Sequence, residues 1–150
     1  MRFFTTKRAG GKKPHRHPER AMQVALFKWA AVVSATMPGA GLLFAIPNGA
    51  YFGGEMKTLK SGKSVPLAAI RARQMKGEGM KPGVPDVMLP VARGRWHGLF
   101  VELKAGSTVS DEQAQWHAAL SAQGYCVRVV RGDWQLAAKL IEDYLAGKIV

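Results

Sequence analysis

Residues 84–104 constrain this chain more than any other stretch. Segments 84–90 and 97–104 read as two strands, joined by Val91-Ala92-Arg93-Gly94-Arg95-Trp96. A hairpin centred on Gly94 sets Asp86 opposite Glu102. Cross-strand partners stand about 4.5–5.5 Å apart at Cβ, where two like charges repel unless something neutralises them. In the second strand Glu102 and Lys104 are two residues apart and share a face, while Val101 and Leu103 take the other. One face of the ribbon therefore gathers two carboxylates and an ammonium, and the opposite face packs.

The rest of the chain supplies elements to pack against that ribbon. A helix starts near Pro18, with Met22, Leu26, Trp29 and Val33 on one side, and Pro38-Gly39 stops it. The apolar run 42–46, closed by Pro47-Asn48-Gly49, reads as a buried strand. Residues 52–63 show no period, 64–75 read as a helix with Pro66 in its first turn, and 76–83 as a flexible basic loop. Ser110 and Gln113 have capping-box spacing for a helix that runs to about Gln123, where Gly124 stops it. A strand follows over 125–130. Asp133 then caps a last helix with Leu136, Leu140, Tyr144 and Leu145 on its apolar side. The order is helix, strand, insertion, strand, strand, helix, strand, helix: an α/β chain whose 150 residues suit one domain.

Charge narrows the partner. Lys and Arg number 22 against 10 Asp and Glu, a net +12, which calls for a polyanion such as nucleic acid. The insertion, about residues 50–83, carries Lys57, Lys60, Lys63, Arg71, Arg73, Lys76 and Lys81 against Glu55 and Glu78. Arg93 and Arg95 add charge at the hairpin connection, and residues 1–17 read as a mobile basic arm before a domain over 18–150. Such cations hold phosphates without reading bases. The single cysteine, Cys126, makes no internal disulfide and reads as a small buried residue of a cytosolic protein. The N-terminus lacks the apolar run of a secretory signal, and 22–37 is too short and too interrupted by Lys28 to span a membrane.

Two carboxylates on one face suit a hard cation such as Mg²⁺ or Mn²⁺, since no His or Cys lies beside them in sequence. With Lys104 alongside to orient water or to stabilise charge on phosphorus oxygens, the chemistry is metal-assisted phosphodiester hydrolysis. A rival reading is a basic nucleic-acid-binding protein that does not cut, with Asp86 and Glu102 salt-bridging Lys104. A third is a sequence-specific restriction enzyme. The remaining aromatic and imidazole groups read as accessory. His15, His17, His97 and His117 share no spacing and serve as surface or phosphate contacts. Trp116 and Trp134 belong to the core, and Trp96 at the hairpin tip faces DNA.

Gly83-Val84-Pro85-Asp86, Glu102-Leu103-Lys104, the run Ser110 to Trp116 and Gly124-Tyr125 together resemble the VRR-NUC (virus-type replication-repair nuclease) domain of the PD-(D/E)xK nuclease superfamily. The resemblance reaches upstream to Glu19, Gln23 and Pro47-Asn48-Gly49, covering about residues 18–146. It implies a restriction-endonuclease-like core in α-β-β-β-α-β order, with a mixed central sheet flanked by helices and a basic insertion between the first and second strands. It also implies Mg²⁺ or Mn²⁺ dependence, a phage or bacterial setting, and a homodimer cutting branched DNA such as four-way junctions. By position, Asp86 and Glu102 match the metal-binding acids, Lys104 the catalytic lysine and Glu19 the first-helix acid. The Leu103 carbonyl matches a further ligand, and Gln113 the glutamine that helps place the lysine or the scissile phosphate. One departure is Ala50-Tyr51-Phe52, where the family has a basic residue soon after the Asn-Gly turn.

Overall fold

A computed structural model describes residues 18–47 and 55–149. The basic arm with His15 and His17, and the turn at Asn48, lie outside the described residues. Helix α1 (Pro18–Val33) opens the fold, followed by a 3-10 turn (Pro38–Leu42) and strand β1 (Phe44–Ala45). Next come β2 (Met56–Thr58), β3 (Ser64–Pro66) and α2 (Leu67–Gly77). Then follow β4 (Val87–Leu89), β5 (Leu99–Lys104), α3 (Asp111–Ala122), β6 (Cys126–Arg131) and α4 (Trp134–Leu145).

The central sheet has the order β1-β4-β5-β6. β4 pairs antiparallel with β1 and β5, and β5 pairs parallel with β6. A parallel pair needs a crossover, which α3 provides, so α3 and α4 come to opposite faces of the sheet. Val87, Leu89, Leu99, Val101, Leu103, Cys126 and Val130 form the sheet's half of the core. Met22, Leu26 and Ala30 of α1 and Ala137, Ala138, Ile141 and Tyr144 of α4 form the other half. The Tyr144 hydroxyl donates to the Val91 carbonyl (2.7 Å), satisfying the one polar atom that this side chain carries inward. Every residue of β5 is buried, the polar pair included. Among the described residues no helix is long and apolar enough to cross a membrane.

The structure corrects three local expectations. The run 42–46 is not a buried strand. Pro38 starts a 3-10 turn that extends through Leu42, leaving a two-residue edge strand whose members are exposed. An edge strand has a sheet neighbour on one side only, so of this run only Leu43 is buried. The expected helix over 64–75 begins instead at Leu67. Proline favours extended backbone in the residue before it, so Val65 and Pro66 join β3, which pairs with β2 across a turn where Gly62 has φ of 80°. This hairpin occupies the stretch that has no sequence period. Third, Leu136 of α4 is 57% exposed; Tyr144 is buried and Leu140 and Leu145 pack against the core as expected, but Ala137, Ala138 and Ile141 take the rest of that face and let α4 approach closely.

Truncating Ile141 to Ala should therefore lower unfolding free energy by about 2–5 kcal/mol. Leu136→Ala on the same helix should change it by about 0.5 kcal/mol or less. Urea equilibrium unfolding distinguishes the two, and equal losses would contradict this orientation of α4.

Candidate active site

The hairpin register sets the site. Val87 faces Val101, Met88 faces Phe100 and Leu89 faces Leu99, so one step beyond the ladder Asp86 stands across from Glu102. The Asp86 side chain takes over the ladder there: its Oδ2 accepts the Leu103 N–H at 2.7 Å. Its backbone carbonyl accepts from Ile46 N (2.8 Å), which ties β1 to the same point. The loop before Asp86 is pinned from α3, where Trp116 Nε1 donates to the Pro82 carbonyl (2.9 Å). Gly83 makes this approach possible. Its φ is 83°, and a Cβ there would lie 3.0 Å from both the Glu112 backbone and the Trp116 ring.

Glu102 is only 1% exposed and Lys104 7%. Lys104 Nζ lies 3.1 Å from Glu102 Oε1, and Gln113 Nε2 donates to the same oxygen (2.5 Å). Gln113 has a second duty. It closes the capping box, its Oε1 accepting from Ser110 N and its own N–H donating to Ser110 Oγ. The cap and the contact with Glu102 are thus one device, in which the first turn of α3 fixes the amide that holds the carboxylate.

Electrostatically, Asp86, Glu102 and Glu19 act on one another across the site, with Lys104 as the cation beside Glu102. Burial raises Glu102 from an ordinary 4.5 to about 7, and the charge of Asp86 adds to that push, while Lys104 opposes it. Among the described residues, Glu102 Oε2 is buried with no hydrogen-bond partner. His117 Nε2 lies 3.7 Å from it, too far for a hydrogen bond, and is also without a partner. Burial, and then Lys104, hold the His117 pKa below its usual value. Glu19, in the first turn of α1, reaches the end of β5. There its Oε1 accepts from Ser107 Oγ (2.6 Å) and from Ala105 N (3.3 Å).

Among the described residues no three His, Cys, Asp or Glu stand together as a ready-made metal cage. The donor chemistry nevertheless fits a hard divalent cation. An orphaned buried carboxylate oxygen, a second carboxylate that raises its pKa, and a third acid contributing to the same rise are what such an ion relieves.

Asp86, Glu102, Leu103, Lys104 and Gln113 thus come together, with Glu19 at the strand end. The expected DNA contacts lie elsewhere. Lys57 is on β2, Lys60 and Lys63 are in the β2–β3 turn, and Arg71 and Arg73 are on α2. These, with Lys81 and Arg95, are exposed. Arg93 is half-buried, its Nε donating to the Leu145 carbonyl (2.9 Å) and its Nη1 to the Ala92 carbonyl (2.8 Å). Trp96 is not presented at the tip. A tight turn closed by Arg93–Trp96 backbone bonds folds it against the core, with the Arg95 guanidinium 4.4 Å over its ring.

The sequence reads His117 as a surface or phosphate contact, whereas it is half-buried beside Glu102, and Ser107 was not singled out. His117 lies four residues after Gln113, one turn along the same helix face, and that spacing was the available signal. Ser107 had none, because its contact depends on the path of the loop after β5.

A carboxyl whose pKa rises on folding binds its proton more tightly in the folded chain. Its contribution to stability is complete below the unfolded value of 4.5 and is lost as pH climbs through about 7. Urea unfolding of the metal-free protein at pH 5 and pH 8 should show a loss that Glu102→Gln removes. Parallel pH dependence in the two proteins would refute the assigned environment.

The VRR-NUC domain model matches residues 41–134, a span that includes Asp86, Glu102, Lys104 and Gln113 but not Glu19. A solved structure described as a VRR_NUC domain protein is 23% identical, covering 85% of this chain and 88% of that one with a TM-score of 0.54. At that identity it shows a shared fold. No curated protein matches the chain. The family model spans more than half of the sequence, and so the chain belongs to the VRR-NUC domain family, nucleases of the PD-(D/E)xK type.

Proposed function

We propose that this protein is a divalent-metal-dependent endonuclease that hydrolyses DNA phosphodiester bonds, with a preference for branched DNA such as four-way junctions. The observation that carries this reading is the buried Glu102 held against Asp86 and Lys104. A protein that only binds DNA gains nothing from burying a carboxylate across from a second one on the face where phosphate must approach, because these acids repel it.

In this reading Asp86, Glu102, the Leu103 carbonyl and Glu19 hold Mg²⁺ or Mn²⁺. What the ion supplies when bound is Lewis acidity, which offsets charge developing on the phosphate and eases deprotonation of water. The other tasks fall to the chain. Hydrolysis forms one P–O bond to water and breaks one to the leaving sugar oxygen. Lys104, whose ammonium is fixed by Glu102, orients the water and stabilises negative charge on the non-bridging oxygens. Gln113 holds one oxygen of Glu102, leaving the other directed elsewhere. Burial of β5 keeps Glu102 and Lys104 on a rigid strand, and Asp86 is tied to that strand through the Leu103 N–H.

The exposed cations of the insertion, Lys57, Lys60, Lys63, Arg71 and Arg73, with Lys81 and Arg95, hold the DNA backbone. A homodimer would set two such sites on one branched substrate, and the phage or bacterial cytosol is the setting. Both of these features rest on the family resemblance.

Supercoiled and four-way-junction DNA incubated with Mg²⁺ or Mn²⁺ should be cleaved, and EDTA should abolish cleavage. Asp86→Ala, Glu102→Gln and Lys104→Ala should each lower the rate about 100-fold or more. Undiminished cleavage by these variants would overturn the assignment. Replacing Lys57, Lys60 and Lys63 together with Ala should flatten the dependence of log affinity on log salt by about 3. Fluorescence anisotropy in EDTA reads that slope, and an unchanged slope would remove the β2–β3 turn from the DNA contact.

A further inference from the structure

The loop that leaves β5 makes a small cradle. Ala105 N–H and Ser107 Oγ–H converge on one oxygen of Glu19, a residue 86 and 88 positions earlier in the chain. Gly106 between them has φ of 96°, and a Cβ there would meet nothing within 4 Å. Its requirement is therefore conformational rather than steric. A left-handed residue turns the chain so that a backbone donor and a hydroxyl point at the same acceptor, and glycine adopts that conformation at little cost.

The cradle ties the first turn of α1 to the strand that carries Glu102 and Lys104. It fixes the Glu19 carboxylate at the residue next to Lys104, at the end of the strand on which Glu102 lies. From the cradle geometry, we infer that Ser107 is a positioning residue that latches Glu19 beside the Asp86–Glu102 pair and so sets how tightly the site holds a divalent cation. This rests on the metal-dependent reading above and deepens it. Ser107 touches neither substrate nor cation and acts only through Glu19. Its effect belongs in metal affinity, before any chemistry on DNA. Residues that orient metal ligands from behind commonly change affinity about 10-fold or more when removed.

The test uses the full-length protein and Mn²⁺ alone, with the free ion counted by electron paramagnetic resonance and folding followed by circular dichroism. Ser107→Ala should weaken Mn²⁺ binding about 10-fold, and Ser107→Thr, which keeps the hydroxyl, should retain it. In a Glu19→Gln background Ser107→Ala should add nothing, because the latch has lost its carboxylate. An unchanged Mn²⁺ affinity in folded Ser107→Ala, or effects of the two substitutions that simply add, would overturn the inference. Asp86→Asn separates the two levels of the argument. If it loses Mn²⁺ while Ser107→Ala does not, only the latch fails. If Asp86→Asn binds Mn²⁺ as tightly as the natural protein, the metal site and the latch fail together.

Discussion

A carboxylate buried in the middle of a sheet, across from another carboxylate, is the constraint around which this molecule is arranged. Glu102 lies on a strand with no exposed residue, and its nearest cross-strand counterpart in the hairpin register is Asp86. Removing a charged group from water is costly unless partners replace the lost hydration, and a second anion makes it costlier. The surrounding elements can be understood as answers to that cost. Lys104 and the Gln113 amide share one oxygen of Glu102, and Leu103 N–H takes one oxygen of Asp86. Among the described residues the remaining oxygen of Glu102 has no hydrogen-bond partner, and the proposed cation would take that place.

The two faces of the sheet divide the labour. On one face α1 and α4 bury the apolar members of β4, β5 and β6, which supplies the stability. On the other face lie the polar members of β5, contacted by Gln113 and approached by His117 of α3. Alternation along a strand makes this separation possible, because each step of one residue moves a side chain from core to site. Among the described residues the insertion β2–β3–α2 contributes exposed cations and none of the buried core.

How far the sequence discloses this depends on the range of each interaction. The hairpin was legible because its strands are symmetric about Gly94 and alternate with period two, and the observed ladder has that midpoint. The capping box at Ser110 and Gln113 was legible because both partners lie within one turn. Elements governed by their place in the sheet were not. The run 42–46 looks like a core strand, but it sits at an edge. The β2–β3 hairpin is exposed and carries no apolar period, so nothing in its pattern announced a strand. On α4 the spacing of large residues found Leu140, Tyr144 and Leu145, but the packed face also takes Ala137, Ala138 and Ile141 and leaves Leu136 outside. Ser107 was hidden because its partner is distant in sequence.

The central claim is that Asp86 and Glu102 share a divalent cation. The most direct measurement is anomalous X-ray diffraction from crystals of the protein soaked in Mn²⁺. The account predicts a single strong manganese peak between the two carboxylates, with an oxygen of each at roughly 2.1 Å. Crystals that take up manganese elsewhere and leave that position empty at saturating Mn²⁺ would contradict it.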